Sequence, residues 1–270
     1  MKVAQACRLE LLRHRASWKL VPLFALILAA ASPARGAILE DEIRLSYDLS
    51  PTANVSIRNT NGRIFVYGSD DPRLEILAVR RAFTKERLEA IKVSVEIAGE
   101  TATVETIYPP APQQSIFADR SGTVDYVILV PQYCTLTQVS LDEGEILIEG
   151  LRGNGVAAQL GGGVMHVRDC FCAVNAALGD GKMDLSYGWW EERPFSLSAT
   201  VEEGELRLGL PAAAALHLDA ATARGRIRNS FSREPSPGGK KSLEISLGEG
   251  GLAQFRLRVG DGNILLWRMY

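Results

Sequence analysis

The feature that most constrains the fold of this chain is a short unit that recurs seven times: an alternating apolar stretch, a tight turn that ends in glycine, and a second alternating stretch. The residues two and four places after each glycine are apolar at thirteen of fourteen positions, the exception being Asn229. Because side chains alternate between the two faces of a β-strand, an alternation that restarts at each glycine predicts strands with one buried face. The seven glycines are Gly62, Gly144, Gly163, Gly181, Gly204, Gly225 and Gly262.

The spacing of these glycines is nearly constant along the middle of the chain. From Gly144 to Gly225 the successive intervals are 19, 18, 23 and 21 residues, and such a step is typical of solenoid repeats. The interval from Gly225 to Gly262 is 37 residues, close to two steps, which predicts one further coil without a glycine of its own. We therefore expect an all-β, single-domain β-solenoid, similar to a β-helix, with about 20 residues per coil.

The alternation also leaves a second architecture open. In a solenoid each strand stacks on its equivalent in the next coil, whereas in a β-sandwich of stacked hairpins the two strands of one unit pair with each other. A two-residue hairpin would bury the same positions, so only the regular step favours the solenoid.

The N-terminal part of the domain is irregular but rich in predicted strands. Residues 83–90 predict a short helical connector, and residues 91–97 and 101–107 alternate around Gly99 as a hairpin would. Residues 123–130, which Pro131 follows, predict a further strand. At the other end, residues 264–270 predict a last coil that caps the stack.

The first 36 residues have the features of a secretory signal peptide. Basic residues precede an apolar run from Leu20 to Ala31, and small residues follow at Ala34 and Gly36. This order predicts a signal peptide over residues 1–36, cleaved after Gly36, and an exported domain over residues 37–270. A membrane anchor is the alternative, but the run is short and is interrupted by Pro22, so we expect no transmembrane segment after cleavage. The expected location is the periplasm, the cell surface or the extracellular space.

Charge and cysteine content limit the partners and the covalent structure of the exported domain. Residues 37–270 carry 24 lysines and arginines against 31 acidic residues, a net charge of −7, which argues against nucleic acid as a partner. In the solenoid register Cys134 lies two coils from Cys170 and Cys172. At about 4.8 Å per coil that is about 9.5 Å, too far for a disulfide. We expect buried free thiols.

Several segments together resemble the bacterial putative-adhesin family of unknown function. They are residues 55–68 (VSIRNTNGRIFVYG), residues 125–131 (DYVILVP) and the glycine-centred units that follow, and the likeness spans about residues 43 to 270. The resemblance implies an exported β-solenoid, and some relatives are thought to act in envelope stress responses. That family has no accepted catalytic residues. This chain differs in its acidic residues before Gly144 and Gly204, where relatives often carry asparagine.

No constellation of residues in the sequence indicates catalysis. His166 falls in the outward column of its strand, and the sequence pairs no serine or cysteine nucleophile with it. Glu145 and Glu205 share a column but lie three coils apart, about 14 Å, whereas the two carboxyl groups of a glycosidase are about 5 to 9.5 Å apart. We therefore expect a protein that is not an enzyme and that needs no cofactor.

Acidic residues next to the turns could in principle bind calcium, which takes several oxygen ligands. The glycine- and aspartate-rich nonapeptide repeat of calcium-binding β-rolls is absent from the sequence, so we expect a solvated charged ridge and no metal site. The residues of this ridge are Asp142, Glu143, Asp180, Glu202 and Glu203.

The segment from Tyr187 to Phe195 is the candidate binding site. It coincides with the longest step between the regularly spaced glycines, 23 residues, so the extra residues are expected to form a loop. Trp189 and Trp190, with Tyr187 beside them, would offer flat apolar faces with polar edges to a sugar ring or a protein. Alternatively, one or both tryptophans fold back and cover the flank of the solenoid.

These observations predict an exported, non-enzymatic binding or scaffolding protein of the bacterial cell envelope or surface, adhesin-like, whose partner is an envelope or surface protein or a polysaccharide. The alternative is a periplasmic envelope-stress or regulatory protein that acts through protein–protein contacts.

Overall fold

The structure is a computed structural model that describes residues 38–110, 121–231, 241–248 and 251–269. The predicted signal peptide, residues 1–36, lies outside the described residues, and residues Ala37–Tyr270 form one compact unit. The described elements are the helix α1 (Lys85–Ala90) and the strands β1 (Leu39–Asp48), β2 (Asn54–Ser69), β3 (Arg73–Ala82), β4 (Lys92–Ala98), β5 (Thr101–Ile107), β6 (Thr123–Pro131), β7 (Thr135–Glu149), β8 (Gly155–Arg168), β9 (Ala173–Ser186), β10 (Ser196–Pro211), β11 (Leu216–Arg224), β12 (Ile227–Asn229), β13 (Ser242–Leu247) and β14 (Ala253–Met269).

The all-β expectation is confirmed, and so are the elements predicted before the repeats. α1 lies within the predicted connector, β4 and β5 form the antiparallel hairpin, and β6 covers the predicted strand. In the part of the chain that the structure describes, no helix is long and apolar enough to cross a membrane.

The glycine-centred units are long strands that pass through their glycines. The sequence predicted two strands joined by a tight turn, but β8 runs without a break across Gly163. The φ of Gly163, 127°, lies in the region that glycine adopts readily, so the strand bends there while its pairing continues. The other six glycines also have positive φ. At Gly225 the strand is interrupted, and β12 begins two residues later.

Successive units pair in parallel, glycine beside glycine. Gly144 pairs with Gly62 on one side and with Gly163 on the other, and the same register continues through β9, β10 and β14. We call the stretch before each glycine the first arm and the stretch after it the second arm. Among the described residues, each arm pairs with the equivalent arm of its neighbour and not with the other arm of its own unit. The alternative of stacked hairpins is therefore wrong for these units.

All fourteen strands belong to one mixed sheet, and its order corrects two predictions at the C-terminal end. The path is β1-β3-β6-β2-β7-β8-β9-β10-β14-β11-β13, with β12 beside β14, and β5 bringing β4 to β2. β14 does not cap the stack but lies between β10 and β11. The long interval before Gly262 holds no further parallel coil among the described residues, because β13 pairs antiparallel to β11. The spacing of the glycines is a distance along the sequence. It does not determine which strands a given strand pairs with in the sheet.

The core lies on one side of both arms. In β8 the buried residues before the glycine are Val156, Ala158 and Leu160, and those after it are Met165 and Val167. The change from even to odd positions compensates for the bend at Gly163, so both arms contribute to one apolar cluster. The predicted thiols are also confirmed, since Cys134, Cys170 and Cys172 are all free and buried.

Candidate functional site

The predicted binding segment is the connection between β9, which ends at Ser186, and β10, which begins at Ser196. It is longer than the connections on either side of β8, residues 150–154 and 169–172. The extra length corresponds to the 23-residue step, as the sequence predicted. All three connections join the second arm of one unit to the first arm of the next.

Two of the three predicted site residues, Tyr187 and Trp190, lie beneath this segment and pack against the core. Tyr187 is 1% exposed, and its hydroxyl donates a hydrogen bond to the carbonyl of Cys170 (3.2 Å). The Trp190 ring is partly buried, with its centroid 5.3 Å from that of Phe195 and 5.9 Å from that of Tyr187. Phe171 and Phe255 complete the aromatic cluster. Tyr187 and Trp190 thus cover the core, as in the alternative interpretation of this loop.

Trp189 occupies a different position, at the surface of the same cluster. It is 46% exposed, and its ring centroid lies 5.6 Å from that of Phe171. The guanidinium carbon of Arg152 is 5.9 Å from the centroids of both rings. A large aromatic ring supported by a second ring and a cation is held in place while part of it remains open to solvent.

Polar side chains surround the indole. Arg152 pairs with Glu191 (Nη2 to Oε1 2.8 Å) and donates from Nη1 to Oε1 of Gln132 (2.8 Å). The indole Nε1 of Trp189 donates to the same Glu191 oxygen (3.4 Å). We call Trp189, Arg152, Glu191 and Gln132 the Trp189 patch. Sequence reasoning missed Arg152 and Gln132, although the repeat register places residue 152 in the connection equivalent to that of Trp189.

His166, which the sequence placed in the outward column of its strand, contacts two carboxylates. Its Nε2 lies 3.8 Å from Oε1 of Glu145, and its Nδ1 lies 3.6 Å from Oδ2 of Asp184. Burial lowers the pKa of His166 from its ordinary value, and the neighbouring Asp184 charge opposes that effect. This imidazole therefore lies among charged side chains.

The residues of the predicted acidic ridge are all exposed: Asp142, Glu143, Asp180, Glu202 and Glu203. Within the described ranges, no group of three or more histidine, cysteine, aspartate or glutamate side chains stands close enough to hold a metal ion.

Neither a protein-family model nor a curated protein sequence matches the chain. Solved structures do match. A putative cell adhesion protein from Clostridium sporogenes aligns over 86% of this chain and 100% of its own length, with 12% sequence identity and a TM-score of 0.52. A putative adhesin from Bacteroides fragilis aligns over 84% and 97% (12% identity, TM-score 0.38), and one from Parabacteroides distasonis over 86% and 98% (12% identity, TM-score 0.32). At this identity the likeness to the Clostridium sporogenes protein shows a shared fold.

Proposed function

We propose that this chain is an exported, non-enzymatic binding protein of the bacterial cell envelope or surface, adhesin-like, which contacts a polysaccharide through the Trp189 patch. The observation that carries the proposal is the indole of Trp189, which is about half exposed. It packs against Phe171 and Arg152, and its Nε1 donates to Glu191. A fixed aromatic face stacks on a sugar ring at little entropic cost, and the polar groups around it bond to hydroxyls. The Clostridium sporogenes protein that shares the fold is a putative cell adhesion protein.

The proposal includes a β-solenoid as the scaffold. Its support is the parallel, glycine-to-glycine register of β2, β7, β8, β9 and β10, together with the short connections that return the chain from second arm to first arm. In such a stack the connections of successive coils lie side by side, so residues far apart in sequence form one rigid surface.

The experiment compares the full chain, exported from a bacterial host and purified, with its Trp189→Ala variant. Each is titrated against purified cell-wall polysaccharides and incubated with envelope extract. The matched control is Phe83→Ala, which removes an exposed aromatic ring outside the patch. We expect Trp189→Ala to weaken polysaccharide binding at least about tenfold and Phe83→Ala to leave it unchanged.

If the Trp189→Ala variant binds polysaccharide as tightly as the unchanged protein, the Trp189 patch is not the binding site. Capture of one envelope protein without any polysaccharide would instead support the regulatory alternative, in which the chain acts through protein–protein contacts.

A further inference from the structure

A second surface, on the outer side of the first arms, has the chemistry of a binding site. Two shallow depressions of about 560 Å³ and about 540 Å³ lie on it, and both are lined by Asn175 and Ser198. They are therefore parts of one groove across the strands. We call the part that crosses β7 to β10 the polar groove, defined by Gln138, Gln159, Asn175, Ser198 and Thr200.

The strand register explains why these side chains lie together. Asn175 of β9 pairs with Ser198 of β10, and both point away from the core because their neighbours in each strand are buried. Two residues further along the strands, Gln159 of β8 pairs with Ala177 of β9. From β7, which carries Gln138, to β10 there are three strand spacings, about 14 Å. The polar groove is thus long enough for a chain of several small units.

The polar groups of the groove are largely without protein partners. Among the described residues, the side chains of Gln159, Asn175 and Thr200 make no hydrogen bond to another side chain or to the backbone. The Gln138 carbonyl oxygen accepts from Arg58 (3.0 Å), which leaves its amide NH₂ group free to donate. Alanines at positions 157 and 177 form the floor and leave room above it.

Ionisable side chains lie beside the polar groove but do not line it: Arg58 donates to Gln138, and the adjoining 560 Å³ depression is lined by His217, Asp219, Glu244 and Arg256. The described residues that line the 540 Å³ depression carry no ionisable side chain. By contrast, the outer side of the second arms of the same strands carries Lys182, Asp184, Glu205 and Arg207 in contact with one another. An anionic or cationic ligand would therefore find its counter-charges on the second arms or in the adjoining depression, and not in the polar groove itself.

We propose that the polar groove binds an uncharged glycan chain that runs across the strands of the stack. A sugar hydroxyl both donates and accepts, as do the amide and hydroxyl groups of the groove, so each can satisfy the other without an opposite charge. A folded protein partner fits less well, because the centres of such interfaces depend on aromatic, methionine and arginine anchors, and the groove floor is alanine. This inference goes beyond the proposed function, because the groove shares no residue with the Trp189 patch.

The test measures binding of the full exported chain to pullulan, dextran and laminarin, which are uncharged, and to polygalacturonate, which is anionic. Calorimetric titration compares the protein with the double variant Gln159→Ala/Asn175→Ala and with Ala177→Arg, which fills the groove from its floor. The matched control is Asn154→Ala, which removes an exposed amide outside the groove. All four positions face away from the core, and circular dichroism checks that each variant folds.

We expect at least one uncharged glucan to bind and polygalacturonate not to bind. Loss of two hydrogen bonds should weaken the binding of that glucan about tenfold in the double variant. Ala177→Arg should weaken it at least as strongly, and Asn154→Ala should leave it unchanged. Failure of all three glucans to bind would overturn the proposal. So would preferential binding of polygalacturonate, or a glucan affinity that both groove variants leave unchanged.

The same titrations separate this inference from the proposed function. A loss confined to the groove variants supports the polar groove and contradicts the Trp189 patch as the polysaccharide site. A loss confined to Trp189→Ala does the reverse. A loss in both sets supports both sites, as parts of one extended binding surface.

Discussion

Arg152 and Glu191 form an ion pair between two connections that are 39 residues apart in sequence. Nη2 and Nε of the arginine lie 2.8 and 2.9 Å from the same carboxylate oxygen, and both side chains are about three-quarters buried. The pair ties the connection before β8 to the connection that carries Trp189. Because the arginine also lies over the Phe171 and Trp189 rings, it links the polar edge of the Trp189 patch to its aromatic base.

Replacing Arg152 with alanine should therefore destabilise the loop and the domain. It removes charge-assisted hydrogen bonds to Glu191 and Gln132 and a cation above two rings, and we expect a loss of about 2 kcal/mol in the free energy of unfolding. Urea denaturation followed by tryptophan fluorescence measures it. Arg193 is the matched control, because it lies 3.9 Å from Glu191 and is more exposed. Arg193→Ala should cost no more than about 0.5 kcal/mol. Equal losses of unfolding free energy in the two variants would contradict a specific stabilising role for the Arg152 contacts.

The pairing of glycine beside glycine in neighbouring strands leads to a second prediction, which tests the register of the stack. A Cβ added to Gly163 would stand 2.0 Å from the carbonyl oxygen of Gly144, and its φ of 127° is strained for any L-residue. Gly163→Ala should therefore cost more than about 3 kcal/mol or prevent folding.

Gly99 provides the matched control for that substitution. Its φ is also positive, 60°, but a Cβ there would meet nothing within 4 Å. Gly99→Ala should cost only about 1 kcal/mol. Similar midpoints of thermal unfolding for the two alanine variants would mean that the glycines do not stack as closely as described.

The glycine pattern predicted the strands and their buried faces because both depend on local alternation. Residues such as Met165 and Val167 are buried because a strand exposes alternate side chains to opposite faces, whatever its neighbours are. The insertion of β14 between β10 and β11 depends on non-local pairing instead, and nothing in the spacing of Gly225 and Gly262 encodes it.

The candidate site was predictable to a similar extent. The long step and the two tryptophans located the loop, but alternation does not apply outside strands. The sequence therefore left open which indole faces the solvent. The structure resolves this through Phe195 and Phe255, whose rings hold Trp190 against the core and leave Trp189 outside.

His166 should make the stability of the domain depend on pH in the mildly acidic range. Burial holds its pKa below the ordinary 6.5, so the unfolded chain takes up a proton first as the pH falls. Its contribution is fully present above about pH 6.5 and is lost as the pH falls through that value toward the pKa of the folded state. Urea midpoints between pH 7.5 and 5 should decrease less steeply in His166→Gln than in the unchanged protein.

A proton NMR titration tests the cause of that shift. The Asp184 carboxylate, 3.6 Å from Nδ1, raises the pKa of His166 against the effect of burial. Asp184→Asn should therefore lower the pKa of His166 further. A pKa at or above 6.5 in the unchanged protein would mean that the Asp184 and Glu145 charges outweigh burial, and would contradict the predicted shift.

The three buried thiols should be unreactive in the folded protein and should destabilise it at high pH. Burial raises the pKa of Cys134 to about 12 and that of Cys172 to about 11, and it raises the pKa of Cys170 as well, from an ordinary value of 9.0. Because the thiolate is the reactive form, a disulfide reagent at pH 8 should modify these residues slowly in buffer and rapidly in guanidinium chloride. Since the unfolded thiols ionise first, their contribution to the free energy of unfolding should be constant below about pH 9 and should decrease from there toward pH 11 to 12. Rapid modification in native buffer, or stability that does not change above pH 9, would mean that these cysteines are accessible to solvent.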